Sequence, residues 1–166
     1  ACDPDYAAVI EVCEQGCDYD TLQTAINAAA NGDTILVHDG VYEGLNYIYQ
    51  SSLTIQSING PENTILDGMN KDTVVYLDTS NALLSGFTIT NGSGQSGGGL
   101  LVYRGGPRIE NCIITGNQAA RGDQYAVVLT QLGRYVYYSD LTISYSNVLG
   151  NTVVDSGCTL EEGPGM

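Results

Sequence analysis

The chain has 166 residues and a formal net charge of −14, from 19 acidic and 5 basic residues. This charge excludes nucleic acid as a natural partner, because phosphate binding needs a basic face. The 21 glycines are scattered without a period, which excludes a collagen or a flexible linker. The length fits one domain, and no apolar run in the sequence approaches membrane-spanning length.

Four of the five cysteines lie near the two ends of the chain: Cys2, Cys13, Cys17 and Cys158. They predict two disulfides in an oxidising compartment, with three connectivities open. A zinc site at Cys13 and Cys17 is the alternative, but His38 is the only histidine and the spacing is not that of a zinc ribbon. Residues 1–18 are interpreted as a disulfide-bearing N-terminal segment.

The chain begins Ala-Cys-Asp rather than with Met. This start predicts that a secretory signal peptide has been removed. A lipoprotein would carry its lipidated cysteine at the first mature position, whereas Cys2 is second. We therefore expect a soluble secreted protein rather than a lipid-anchored one.

One helix is predicted over residues 20–31, within DYDTLQTAINAAANG. Asp20 is the expected N-cap, with Gln23 as its reciprocal partner. Apolar residues then recur at helical spacing from Leu22 to Ala29, and Asn31-Gly32 supplies a left-handed end. A helix at this place would cap the first coil of a solenoid, whose strand edges need covering.

From residue 34 onward the sequence repeats a short β-rich unit. Phe87-Thr88-Ile89-Thr90 has its counterpart in Cys112-Ile113-Ile114-Thr115, so the offset from residue 87 to residue 112 is 25. Similar units stand at 53–56 and at 141–144, which gives steps of 34 and 29. The unequal steps indicate a coil of about 25 residues that accepts insertions at its corners.

Successive coils are expected to stack at the strand spacing of about 4.8 Å. Alternation places the first and third residues of each unit inside, so Cys112 is expected to lie between Phe87 and Leu141 as a small apolar group. The predicted fold is an all-β parallel solenoid of about five coils over residues 19–157, followed by a C-terminal tail over 158–166.

The segment YDTLQTAINAAANGDTILVHDGVYEG resembles the opening of bacterial secreted right-handed parallel β-helix repeat proteins of pectin-lyase-like fold. SINGPENTILDG and the pair GFTITNG and PRIENCIITGN resemble the same proteins, over most of residues 19 to 157. The resemblance implies a right-handed coil. It leaves function open, because this architecture carries polysaccharide lyases, hydrolases, adhesins and surface proteins.

Exposed aromatic and basic side chains are the candidate contacts with carbohydrate or with a partner chain. If Ile48 points inward, its two neighbours point outward, where tyrosine rings stack on sugars or pack against another protein. Two arginines 26 residues apart are candidates to stack one above the other and bind a carboxylate; the alternative, which the sequence favours, is that they are ordinary corner residues. The candidate residues are Tyr47, Tyr49, Tyr135, Tyr137, Arg108 and Arg134.

Acidic residues at corners are candidate calcium ligands, because calcium would let this acidic protein approach an acidic polysaccharide. These residues are Asp39, Glu43, Asp67 and Asp72. Ordinary solvated carboxylates are the alternative, since no spaced calcium-loop motif is present. Asn91-Gly92-Ser93 is an N-glycosylation sequon, which would make the chain a glycoprotein; an amide ladder between Asn91 and Asn117 is the competing interpretation.

No catalytic residue is assigned. A lyase needs a base beside a cationic stabiliser, and a hydrolase needs paired carboxylates, whereas the strand segments from residue 82 onward carry few acids. The sequence therefore predicts a secreted, non-catalytic extracellular structural or surface protein. No second helix closes the last coil, which leaves three alternatives open: the chain is a fragment of a longer solenoid, its glycine-rich tail folds over the end, or another molecule supplies the missing coil. In the third case the molecule is another surface protein or a copy of the chain itself, and copies would form a head-to-tail filament. The alternative is a polysaccharide-active lyase or hydrolase, or a carbohydrate-binding module.

Overall fold

The computed structural model describes residues 7–78, 80–95, 97–119 and 142–153. Within these ranges, short strands wind into an all-β parallel solenoid of about four turns that carries one short helix. Every strand pair in the described ranges is parallel. The predicted fold class is therefore confirmed, with about four turns where about five coils were expected.

The described elements are short, and most strands have three or four residues. In chain order they are β1 Val9–Val12, α1 Leu22–Ala28, β2 Thr34–Val37, β3 Gly40–Glu43, β4 Asn46–Ile48, β5 Thr54–Ser57, β6 Thr64–Asp67, β7 Val75–Leu77, β8 Leu83–Ser85, β9 Thr88–Thr90, β10 Ser93–Gly94, β11 Leu100–Val102, β12 Arg108–Glu110, β13 Ile113–Thr115, β14 Gln118–Ala119, β15 Thr142–Ser144, β16 Asn147–Leu149 and β17 Thr152–Val153.

Four sheets run along the solenoid, and each takes one strand from a turn. The first sheet has the order β1-β2-β5-β8-β12-β15, and the second has the order β3-β6-β9-β13-β16. The third sheet is β4-β7-β11 and the fourth is β10-β14-β17. Because the partner of each strand lies one turn away in sequence, residues far apart in the chain become direct neighbours.

The core is built from columns of apolar residues that stack in register. In the first sheet one such column consists of Ile10, Ile35, Ile55, Leu84, Ile109 and Ile143. The central members are almost fully buried, and Phe87 is the largest fully buried side chain in the described residues. Each buried aliphatic side chain of this kind stabilises the fold by about 1.5–3 kcal/mol.

The predicted stacking of the repeated units is correct for one pair. Ile113 and Ile114 of β13 pair with Thr88 and Ile89 of β9, so Cys112 lies next to Phe87 across one turn. Cys112 is 1% exposed and carries a free thiol. The prediction that Cys112 is a buried thiol stacked next to Phe87 is therefore confirmed.

The other two units belong to a different sheet, so their predicted positions are wrong. Thr54 of β5 pairs with Leu83, and Thr142 of β15 pairs with Arg108, both in the first sheet. In the following turn, the position that stacks on Cys112 is occupied by Ser146. The Ser146 hydroxyl accepts a hydrogen bond from the Cys112 amide at 3.1 Å. Leu141 itself lies outside the described residues.

The turns differ in length, which explains this error. Contacts between equivalent corner positions span 20, 29, 25 and 34 residues in successive turns. Alternation is the same in the first and second sheets, so pattern alone does not tell which sheet a unit joins. Only backbone pairing distinguishes them.

The helix is shorter than predicted and is capped differently. Its N-cap is Thr21 rather than Asp20, and the Thr21 hydroxyl accepts from the Thr24 amide at 3.3 Å. The helix ends at Ala28, before Asn31-Gly32. The carboxylate of Asp33 accepts from the amide of Ala30 at 2.8 Å, which holds the chain in a turn directly after the helix.

The N-terminal segment contributes a strand that the sequence analysis missed. β1 pairs with β2 in register, so β1 covers the strand edge that the helix was expected to cap. Helix α1 packs against β1, β2 and β4 and buries Leu22, Ala25 and Ile26. Gln23 does not complete a capping box; its side-chain amide bonds both the amide and the carbonyl of Tyr47.

A left-handed residue marks the corner between the first and second sheets in three successive turns. These residues are Gly86, Asn111 and Tyr145, with φ of 85°, 49° and 51°. Glycine and asparagine adopt this conformation readily, whereas a tyrosine there is uncommon. In addition, there is no room for a side chain at Gly86, because a Cβ at this position would overlap the Ser57 hydroxyl.

We expect Ile55→Ala to lower the free energy of unfolding by about 2–5 kcal/mol, because it opens a cavity inside the stacked column. Ile58→Ala is the matched control, since Ile58 is 45% exposed and Ile55 is fully buried. Chemical denaturation followed by circular dichroism measures both variants. Equal losses for the two isoleucines would contradict the inward column.

Gly86→Ala is expected to destabilise the protein more than Gly44→Ala does. Both glycines have positive φ, but a Cβ at Gly44 meets open space. Gly44→Ala should therefore cost only the backbone term of about 1 kcal/mol, and the overlap with Ser57 should add roughly 1–3 kcal/mol at Gly86. Thermal unfolding of the two variants makes the comparison; equal shifts would show that the corner has room.

Candidate binding face

The third sheet presents a flat group of tyrosines on its outer side. Tyr47 of β4 pairs in register with Tyr76 of β7, and Tyr76 pairs with Leu101 of β11. The strand residues on either side of them point inward and are buried, as Ile48 and Leu77 show. Alternation therefore sends Tyr47, Tyr76 and Leu101 outward as one column.

A second outward column runs beside the first. The amide of Asp78 donates to the carbonyl of Ile48, and the amide of Tyr103 donates to the carbonyl of Leu77, each at 2.9 Å. This pairing continues the register by one residue and aligns Tyr49, Asp78 and Tyr103. The six outward residues form what we call the tyrosine face: Tyr47, Tyr49, Tyr76, Asp78, Leu101 and Tyr103.

The rings of the tyrosine face contact one another. The ring centroids of Tyr47 and Tyr76 are 5.0 Å apart with the planes tilted by 37°, and those of Tyr47 and Tyr49 are 5.8 Å apart with a tilt of 40°. These separations lie in the range of favourable aromatic pairs. The aromatic surface is therefore held in place by the strands and by ring contacts together.

Charged groups border the aromatic surface. The Tyr47 hydroxyl donates to the Asp78 carboxylate at 2.8 Å. The Arg104 guanidinium lies over the ring of Tyr103, 4.9 Å from its centroid, which is cation–π geometry. The face thus offers flat apolar rings, phenol hydroxyls, one carboxylate and one guanidinium within a few strand spacings.

The environment keeps two of the phenols neutral. The hydrogen bond to Asp78 raises the pKa of Tyr47 above its usual value of 10.0. Burial raises the pKa of Tyr76, and the negative charge of Asp78 adds to that effect. Both hydroxyls are therefore protonated at neutral and mildly alkaline pH, where they donate and accept hydrogen bonds.

The arrangement suits the recognition of a flat, hydroxylated molecule. Tyrosine rings supply rigid amphipathic contact area at low entropic cost, and the polar groups around them fix the orientation of a ligand. Tyr47 and Tyr49 point outward, as the sequence analysis expected. Their role in contacting a ligand stays a prediction.

Three of the predicted contact residues, Tyr135, Tyr137 and Arg134, lie outside the described residues. Arg108 lies on β12 in the first sheet, where its guanidinium forms an ion pair with Glu110. The residue paired with Arg108 in the next turn is Thr142. Arg134 lies outside the described residues, so its stacking on Arg108 stays a prediction.

The predicted calcium ligands lie at several corners. Glu43 and Asp67 are side by side in register on β3 and β6. The Asp39 carboxylate accepts from the side chain of Asn59 at 3.0 Å, and the Asp72 carboxylate accepts from its neighbouring amide. Within the described ranges these four residues do not form one group of ligand atoms. Calcium binding stays a prediction.

The expected ladder between Asn91 and Asn117 is shifted. The Asn117 side chain accepts from the amide of Gly92 at 2.8 Å and donates to the side chain of Asn151 at 2.9 Å. The amide ladder therefore joins Asn117 to Asn151. Asn91 donates to both carboxylate oxygens of Asp67, at 3.0 and 3.1 Å, a contact that glycosylation of Asn91 would disturb.

One disulfide is present in the described part of the chain. It joins Cys13 to Cys17, with the two Cα atoms 5.5 Å apart. Cys2 and Cys158 lie outside the described residues, so a second disulfide stays a prediction. Burial raises the pKa of the free Cys112 thiol, which keeps this thiol protonated and unreactive.

Comparison of the sequence with protein-family models and with curated proteins finds no match. In the described part of the chain, no helix is long and apolar enough to cross a membrane.

The residues of the face that sequence analysis missed are Tyr76, Asp78, Leu101, Tyr103 and the adjoining Arg104. They lie on β7 and β11 or directly after these strands. The two strands belong to two short apolar runs of the sequence, 73–77 and 100–103. The signal that would have found the face is the outward alternation in these two runs, aligned with LNYIYQ by the register of the turns.

We expect Asp78→Asn to lower the pH at which Tyr47 and Tyr76 ionise, because it removes the charged acceptor and its field. The pKa values of both phenols are raised in the folded protein, so the unfolded chain loses these protons first as pH rises. The resulting stabilisation is complete below about pH 10 and is lost as pH rises towards the folded pKa values.

Tyrosinate absorbance during an alkaline titration measures this shift. Asp72→Asn is the matched control, because it removes a corner carboxylate outside the tyrosine face. The variant Asp78→Asn should advance the ionisation of about two tyrosines, whereas Asp72→Asn should leave the curve unchanged. Superimposable curves for the two variants would count against the role assigned to Asp78.

Proposed function

We propose that this protein is a non-catalytic extracellular surface protein that binds saccharide chains through its tyrosine face. The observation that carries the proposal is the outward array of four tyrosines in two columns on one sheet. Tyr49 is 50% exposed and the other three tyrosines are partly exposed, so the array leaves aromatic surface in contact with water, which is unfavourable. A ligand or partner that covers the rings removes this cost.

Sugars fit the chemistry of the face. A pyranose ring offers an apolar C–H side to an aromatic ring and equatorial hydroxyls at its edge. The neighbouring rings of Tyr47 and Tyr76 supply the stacking surface, and Asp78 and Arg104 stand beside it as acceptor and donor. The two stacking rings lie on neighbouring strands, about 4.8 Å apart along the face, so successive sugars of a chain can contact successive strands.

Neutral saccharides fit better than acidic ones. The chain carries a net charge of −14, and the carboxylate within the tyrosine face is Asp78. A uronate polymer would be repelled unless a cation such as calcium intervened. We therefore propose a neutral polysaccharide as the ligand class.

Two features support an extracellular place of action. The Cys13–Cys17 disulfide is compatible with an oxidising compartment. The resemblance of the opening segment to secreted β-helix repeat proteins points the same way. Both observations agree with a protein that meets polysaccharides outside the cell.

The chemistry of the face favours binding over catalysis. Hydrolysis of a glycosidic bond uses two carboxyl groups on either side of the bond, and the tyrosine face contains one, Asp78, which already accepts from Tyr47. Arg108, one of the two arginines that are candidates to bind a carboxylate, is paired with Glu110. A lyase or hydrolase stays the alternative, with release of reducing or unsaturated sugars as its signature.

Head-to-tail assembly into filaments is a separate part of the proposal. It depends on the surface beyond β17, and residues 154–166 lie outside the described part of the chain. Electron microscopy of the concentrated protein tests it, and dispersed single particles would argue against it. The saccharide proposal does not depend on this outcome.

We expect Tyr47→Ala and Tyr76→Ala each to weaken binding to a neutral polysaccharide about fivefold to tenfold, because each removes one stacking ring worth about 1 kcal/mol. Affinity electrophoresis in gels containing soluble neutral glucans, xylans or mannans measures this binding. Gels containing polygalacturonate, with and without calcium, test the acidic alternative.

Tyr145→Ala is the matched control, because Tyr145 is 93% exposed and lies at a corner away from the third sheet. It should bind as the unaltered protein does. Retarded migration that is insensitive to Tyr47→Ala and Tyr76→Ala would place saccharide binding elsewhere. Absence of binding to every neutral polymer would overturn the proposal.

A further inference from the structure

A second group of chemically reactive side chains lies at the N-terminal end of the solenoid, beside β1 and β2. The Glu11 carboxylate, the Cys17 sulfur and a ring nitrogen of His38 lie within 4.8 Å of one another. His38 Nε2 and Glu11 Oε2 are 2.9 Å apart, and both side chains are partly open to solvent. This group does not belong to the tyrosine face.

The fold holds these residues together through backbone pairing. Glu11 lies on β1 and His38 directly follows β2, and the His38 amide donates to the carbonyl of Val12 at 2.9 Å. The loop that carries Cys17 folds back onto β1, because the Tyr19 amide donates to the carbonyl of Glu11 and the Cys13 amide donates to the carbonyl of Tyr19. All three elements are therefore fixed near the first rung of the solenoid.

Cys13 completes the group as a fourth donor. Its sulfur is bonded to that of Cys17, so in this state neither cysteine offers a thiolate. A surface cavity of about 450 Å³ is lined by Cys13 and Cys17, and it exposes the disulfide to a small reductant. The state of this one bond decides whether the group holds two donors or four.

We propose that reduction of the Cys13–Cys17 disulfide creates a binding site for a zinc-type divalent cation, with Cys13, Cys17, His38 and Glu11 as its ligands. A dithiol supplies the two electrons and two protons that convert the disulfide into two thiols, and the dithiol is itself oxidised to its disulfide. The cation then displaces one proton from each thiol. In the reverse direction an organic disulfide takes two electrons from the two thiolates and, with two protons from water, is reduced to its thiols; the Cys13–Cys17 bond forms again and the cation leaves.

Three of the four donors already lie within 4.8 Å of one another, and the Cys13 sulfur must turn towards them after reduction. On a tetrahedral zinc, a nitrogen and an oxygen ligand lie about 3.3 Å apart and two thiolates about 3.7 Å apart. The His38 and Glu11 atoms are already 2.9 Å apart. The two sulfurs need to separate by less than about 2 Å, which rotation about the cysteine side chains provides.

The donor set selects the class of cation. Two thiolates, one imidazole and one carboxylate suit zinc and the similar ions cobalt and cadmium, whereas calcium and magnesium prefer oxygen ligands alone. The two states also differ in what they connect. The disulfide closes only its own loop, whereas the cation would join that loop to the ends of β1 and β2.

Cobalt(II) is the probe for the test, because thiolate coordination gives it strong absorption bands and zinc displaces it. The starting protein carries Cys2→Ser and Cys158→Ser, so that Cys13, Cys17 and the buried Cys112 are the remaining cysteines. It is reduced with a dithiol, which is then removed under nitrogen. We expect one cobalt per chain in the reduced protein and at least about 100-fold weaker binding in the oxidised protein.

Variants identify the ligands. Cys17→Ser should abolish the thiolate absorption, and His38→Gln or Glu11→Gln should each weaken binding by about tenfold or more. Glu14→Gln is the matched control, because Glu14 lies in the same loop outside the donor set; it should leave binding unchanged. Circular dichroism checks that each variant keeps the β-fold.

A second measurement does not depend on the variants. Zinc should raise the unfolding temperature of the reduced protein and leave that of the oxidised protein unchanged, because a ligand that binds only the folded state stabilises it. Equal cobalt binding by reduced and oxidised protein, no binding by reduced protein, or binding indifferent to both His38→Gln and Glu11→Gln would overturn the proposal. A result of this kind would leave the saccharide proposal untouched.

Discussion

Backbone hydrogen bonding between equivalent residues of successive turns is the constraint on which this structure depends. Each described strand has two to four residues and pairs with a strand one turn away, so an isolated turn has no stable partner. Every position must therefore suit the same position above and below it. The inward column from Ile10 to Ile143 satisfies this condition with aliphatic side chains, and the corner column of Gly86, Asn111 and Tyr145 satisfies it with left-handed backbone.

The same constraint explains how the proposed binding surface, the tyrosine face, is formed on a sheet rather than in a pocket. Because register aligns Tyr47 with Tyr76, two residues from separate turns place their rings 5.0 Å apart. Insertions lie at the corners and lengthen a turn without changing the pairing of its strands. The residues of the tyrosine face therefore stay aligned although the turns between them differ in length. A ligand on such a face would contact rows of side chains on rigid strands, which favours an extended molecule with a repeating structure.

The N-terminal cluster is built on a different principle. Glu11 and His38 are held by strand pairing, whereas Cys13 and Cys17 lie on a loop tied back to β1 by a few backbone hydrogen bonds. Loops change shape more readily than packed strands. Chemistry that needs movement, such as opening a disulfide, therefore belongs at this end, and recognition that needs a fixed surface belongs on the third sheet.

Sequence reasoning predicts the parts of this protein that depend on local pattern. Alternation and the close match of residues 87–90 with 112–115 predict parallel stacking, and the turn between them has no insertion, so that pairing is correct. Leu53 was assigned to the wrong sheet because its turn is longer and both inner columns are aliphatic. To predict the tyrosine face, one must know how Tyr47, Asp78 and Tyr103 align across turns of unequal length. The sequence pattern does not contain this alignment. Strand register, a property of backbone pairing over the whole stack, decides which outward residues meet, and the proposed function of the surface depends on it.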